Sequence, residues 1–138
     1  MTGTGGPVRD PAALLRGLSP ARAPGLWVFA TTPDAARAAR LAPLALGTFR
    51  EQEGTTLILP FDTARAEGFD CTLPMAQITL HVWSALEAVG LTAAVAAALE
   101  AEAIPANVVA AFHHDHIFLP EPLADRGLSA LRALAARS

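Results

Sequence analysis

Between residues 75 and 83 the chain alternates, with Ile78, Leu80 and Val82 on one side and Thr79, His81 and Trp83 on the other. A period of two predicts a strand. The period then changes. Leu91, Val95, Leu99 and Ile104 recur at helical spacing among alanines, and Pro105 prevents continuation. "NVVAAFH" (107–113) and "HIFLP" (116–120) predict two strands meeting at His114-Asp115. A last helix over 123–136 carries Leu128, Leu131 and Leu134, with Arg132 and Arg137 near its favourable C-terminal end.

The first half shows a related pattern. Asp10-Pro11 reads as an N-cap followed by proline at the first helical position, with Leu14, Leu15 and Leu18 as the apolar side of a short helix. Residues 25–32 predict a strand bounded by Pro24-Gly25 and Pro33. Residues 44–51 and 55–60 flank "QEG" as a hairpin, and 61–68 predict a two-turn helix with Gly68 as its C-cap. Laid over one another, "TFREQEGTTLILPFD" and "AFHHDHIFLPEP" pair Phe49 with Phe112 and Leu59-Pro60 with Leu119-Pro120. On that pairing the second turn is shorter by three residues. The chain therefore reads as two β-α-β-β-α units, 1–72 and 73–138, the first with a degenerate helix near "PDAARAARL". Such a unit usually closes with a fourth strand, and the second has no residues left for one. Its missing edge must come from the first unit or from another chain, so the units are expected to share antiparallel sheet edges, and a homodimer is expected.

Composition narrows the chemistry. The apolar fraction of 52% marks a globular chain, and no apolar run reaches the roughly 18 residues of a membrane span. The first ten residues lack the basic-then-apolar order of a signal peptide, and Cys71 is the single cysteine, so a cytoplasmic setting is expected. Lysine and tyrosine are absent, which removes Schiff-base, phosphate-loop and tyrosine acid–base chemistry. Net charge is −3 with scattered arginines, no stripe for a nucleic-acid backbone.

Candidate chemistry concentrates at "AFHHDHIFLP", which holds three of the four histidines. Strand pairing in a β-α-β-β-α-β unit should bring His81 and Trp83 towards His116, so all four could cluster. Three converging ligands would make a metal site. The alternative is a polar hairpin turn, with His114-Asp115 as a two-residue tip flanked by His113 and His116. That turn would wall a cleft floored by residues 87–90, with polar contacts and no metal. Asp115 suits a turn because its side chain bonds local backbone. Ser84 near His114 or His116 could suggest a hydrolase, but no G-x-S-x-G elbow is present and Ser84-x-x-Glu87 fits a capping box. Cys71 reads as an inert small residue.

Residues 87–112, "EAVGLTAAVAAALEAEAIPANVVAAF", resemble the core of the ACT domain, a small-molecule-binding regulatory module. Glu87 holds the family's acidic position, Gly90 its glycine, Leu91 the next apolar residue and Asn107 the asparagine that opens the following strand. Val89 stands where the family often has proline. The wider chain is similar to bacterial tandem ACT-like proteins over most of residues 10–120. The resemblance implies an α+β, ferredoxin-like ACT fold without cofactor or metal, binding a small molecule such as an amino acid. Together with Ser84 and the turn histidines read above, the expected ligand residues are Ser84, Glu87, Val89, Gly90, Leu91, Asn107, His114 and His116. The resemblance implies no catalysis, nucleic acid or membrane partner, and leaves room for a separate regulated enzyme. Two other readings stay open: an interaction module that has lost its ligand, and an enzyme using the histidines.

Overall fold

The computed structural model describes residues 6–7, 10–82 and 90–138. These fall into two compact units, one of residues 24–76 and one combining 1–23 with 77–138.

The unit of residues 24–76 runs β2 (Trp27–Thr32), α2 (Ala35–Leu41), β3 (Gly47–Arg50), β4 (Thr55–Pro60) and α3 (Phe61–Ala66). β4 lies between β3 and β2, antiparallel to both. Val28, Ala30, Leu57 and Leu59 point to the helix side and pack with Leu41 and Ala64 as the core. The helix expected to be degenerate is regular. Asp34 caps α2 by accepting hydrogen bonds from the N–H groups of Ala36 (3.0 Å) and Arg37 (3.2 Å), and alanine-rich composition favours the helix. β3 is shorter than expected because Ala42–Leu44 form a 3-10 turn begun by Pro43.

The other unit holds α1 (Pro11–Arg16), β1 (Pro20–Arg22), most of β5 (Met75–Leu80), α4 (Leu91–Ala101), β6 (Asn107–Ala110), β7 (Asp115–Pro120) and α5 (Ala124–Ala136). Its strand order is β6-β7-β5-β1. β5 crosses the boundary of the units: Met75 pairs with Trp27, while Ile78, Thr79 and Leu80 pair with Arg22, Ala21 and Pro20. The edge missing from the second half is thus supplied by β1. All six residues of β5 are buried, so this strand has no solvated face. α5 packs on β1 and β7, and Gly127 permits the approach: a Cβ there would lie 3.1 Å from Leu119 Cδ1.

Both α3 and α4 end in the same hydrogen-bonded cap. After α3, Gly68 (φ +79) donates to Arg65 O and Phe69 to Ala64 O. After α4, Ala103 (φ +57) donates to Glu100 O and Ile104 to Leu99 O. This paired pattern needs a left-handed residue, where glycine is at ease and alanine is strained. Ala103→Gly is therefore expected to stabilise the chain by about 1 kcal/mol, read as a higher urea midpoint at unchanged slope. A midpoint at or below the wild type would refute the strain assigned to Ala103.

The two hairpins are built alike, with an offset of sixty residues throughout. Gly47 opposes Ile58 and Arg50 opposes Thr55, as Asn107 opposes Phe118 and Ala110 opposes Asp115. The expected shorter second turn is incorrect: Phe49 corresponds to Val109, and Phe112 corresponds to Gln52. The expected His114-Asp115 tip is likewise overturned. Ala111 donates to His114 O at 3.1 Å, which leaves Phe112-His113 as the two-residue tip. Asp115 and His116 are strand residues. Burial decides this register, because it puts Ile117 and Leu119 on the helix side, where Leu119 meets Gly127.

Candidate functional site

α4 begins where a carbonyl or carboxylate would be welcome. Gly90 is its N-cap at φ +103, and a Cβ there would meet no atom of the described residues within 4 Å. Only a glycine is comfortable at this φ. Among the described residues no side chain caps this helix, so the N–H groups of its first turn lack the partner that Asp34 gives α2. Leu91 is buried and anchors the helix start. Ser84, Glu87 and Val89, with the capping box read from Ser84, lie outside the described residues. Asn107 opens β6, exposed and opposite Phe118, and its side chain has no partner among the described residues.

At the other end of β6 the histidines do gather. The His81 and His114 rings lie 5.5 Å apart edge to face, His113 and His114 6.4 Å, and Phe112 meets His113 at 4.9 Å. His114 Nδ1 is 3.4 Å from Val82 O. Among the described residues no three His, Cys, Asp or Glu side chains are arranged to hold a metal ion.

His116 has a different setting. Its Nδ1 lies 3.0 Å from Thr79 Oγ1 and 3.2 Å from Gln77 Nε2, and Gln77 Nε2 also donates to Thr79 Oγ1 at 3.3 Å. The Gln77 Nε2 group can only donate, so His116 Nδ1 accepts and the neutral imidazole is the form that fits. Burial, then the nearby His114 charge, holds His116 below the usual histidine range. Burial pushes the Asp115 carboxyl above the usual carboxylate range, against the opposing pull of His116 and His114. Sequence reasoning missed Gln77 and Thr79. Their signal was polar residues on a strand whose every position is buried.

The strands and helices define a ferredoxin-like α+β fold. An ACT-domain model matches residues 7–76 and a second matches residues 73–133. A Vibrio cholerae protein of unknown function, described as a possible transport protein, is 41% identical, with TM-score 0.80 over 90% of this chain and 94% of that one. An Agrobacterium tumefaciens protein is 18% identical, with TM-score 0.63 over 80% of this chain and 84% of that one. The regulatory subunit of aspartate kinase from Thermus flavus is 10% identical, with TM-score 0.59 over 83% of this chain and 95% of that one. The last two likenesses concern fold alone. No curated protein matches the sequence. The chain belongs to the ACT-domain family, whose members are ligand-binding regulatory modules and not catalysts. No helix among the described residues is long and apolar enough to cross a membrane.

Proposed function

We propose that this chain is a non-enzymatic, cytoplasmic sensor that binds an amino acid at the start of α4. The first turn of α4, which has no side-chain cap among the described residues, carries the reading. α2 satisfies its first N–H groups with Asp34, whereas α4 offers its own to an external carboxylate, which the helix dipole also favours. Leu91 fixes the helix start, and Ser84, Glu87 and Val89 belong to the proposed ligand set. Asn107, donor and acceptor at once, suits the head group when supplied by a neighbouring unit. His114, and His116 beside it, serve as polar neighbours. A homodimer that passes its occupancy to a separate enzyme fits the same reading. Leu46 and Phe49, at and beside the edge strand β3, are 48% and 70% exposed, which supports self-association.

Thermal unfolding with each of the twenty amino acids tests this. A ligand at ten times its Kd is expected to stabilise the chain by about 1.4 kcal/mol. Gly90→Asn is strained at this φ but meets open space among the described residues, and it places a side-chain oxygen near the first-turn N–H groups. It should remove the response while leaving the apo protein folded. An unchanged response in that variant rejects the site, and no response to any amino acid rejects the ligand class. A strict monomer in sedimentation at high micromolar concentration removes the dimer.

A further inference from the structure

A cleft in the unit of residues 24–76 is chemically unlike the start of α4. It measures about 260 Å3 and lies between α2 and the β3–β4 hairpin. The helix contributes only methyl groups there, from Ala35, Ala39 and Ala42, so it fills less space than longer side chains would. The hairpin contributes Thr48, Arg50 and Thr55. Arg50 and Thr55 are directly opposed, and Thr48 is opposite the fully buried Leu57, so all three point to the helix side.

The charges are uneven. On the far side of α2, Arg40 makes a two-pronged pair with Glu67 at 2.8 and 3.0 Å, and Arg37 donates to Glu67 O at 2.5 Å. Arg50 has no carboxylate partner among the described residues, and no carboxylate lines the cleft. Nor does the hairpin demand an arginine. The in-register hairpin forms with Val108, Ala110 and Asp115 at the three positions of Thr48, Arg50 and Thr55. Guanidinium and hydroxyl donors suit a carboxylate, and alanine walls suit a short aliphatic chain. An α-ammonium group would find no carboxylate to pair with and would face Arg50.

We propose that this cleft binds a short aliphatic monocarboxylate lacking an α-amino group, held by Arg50, Thr48 and Thr55. The assignment is independent of the α4 site. Backbone amide NMR of the full chain, titrated with isobutyrate, isobutyramide and valine, tests it. Isobutyrate should shift the amides of Ala39, Thr48, Arg50 and Thr55, while the amide and valine bind there about tenfold more weakly or not at all. Arg50→Gln should weaken isobutyrate by about tenfold. Ala39→Leu, an exposed helix-compatible change that fills the cleft, should block it with Arg50 intact. Isobutyrate shifts absent from these amides in the wild type overturn the proposal, as does equal binding of isobutyramide or undiminished binding in either variant. Shifts confined to the α4 start would overturn this site while leaving that one standing.

Discussion

Replacing Gly54 with valine is expected to cost about 3 kcal/mol of stability. A Cβ on Gly54 would lie 2.7 Å from Thr32 O, 2.9 Å from Thr32 C and 3.1 Å from Pro33 N. These are backbone atoms, so no rotamer change relieves the overlap. Thr32 is also pinned by its pairing with Thr55 at the end of the β2–β4 ladder. Room for the side chain can come only from opening that ladder or distorting the turn closed by Glu51 and Gly54. Gly47→Ala in the same hairpin is the control, since a Cβ there meets only Ile58 Cδ1 at 3.8 Å. It should stay within about 1 kcal/mol of the wild type. The urea midpoints of the two variants check the argument, and equal losses would sink it. The position is not one every such hairpin reserves for glycine: His114 occupies it sixty residues later. The constraint is the Thr32 carbonyl.

Legibility in the sequence followed the range of the interactions involved. α4 could be read with its stripe because Leu91, Val95 and Leu99 repeat on one helix face, and all three are buried. β4 was read to its ends for a similar reason, with Leu57 and Leu59 alternating into the core. The second hairpin misled because Phe112 resembles Phe49 in type, yet Phe112 sits at the turn tip whereas Phe49 is a strand residue. The true correspondence keeps Leu59-Pro60 with Leu119-Pro120 but puts glutamine opposite phenylalanine and glycine opposite histidine at the turns, so the offset shows in β4 and β7 and is lost between them. β1 was invisible. Three residues, Pro20–Arg22, carry no period, and they become a strand because β5 offers a free edge. The polar cluster was out of reach for another reason: His116 bonds residues 37 and 39 positions away, a distance no local pattern spans.

That cluster makes His116→Leu the second large effect, an expected loss of about 2 kcal/mol. His116 is a strand residue and not part of the turn tip. Removing the imidazole takes the acceptor from the Gln77 amide and a partner from the Thr79 hydroxyl, both buried. A buried polar group left short of partners costs more than the bond it made, so Thr79→Val with His116→Leu should cost less than the two singles added. The same contact sets a pH dependence. Folding holds His116 below its unfolded value of about 6.5, so between the two values the unfolded chain binds more protons. Its contribution is complete above about pH 6.5 and is lost as the pH falls through the folded value. Asp115 acts oppositely: its folded value is raised, so it contributes below about pH 3.9 and that contribution fades as the pH rises through the folded value. Wild-type stability should therefore drop on acidification from pH 7.5 to 5.5, and the drop should shrink in His116→Leu. His114→Asn should keep most of it, because His114 lies off the Gln77–Thr79 contact. Urea midpoints of the three proteins at the two pH values measure this. An undiminished drop in His116→Leu would refute the assignment of the pH dependence to His116.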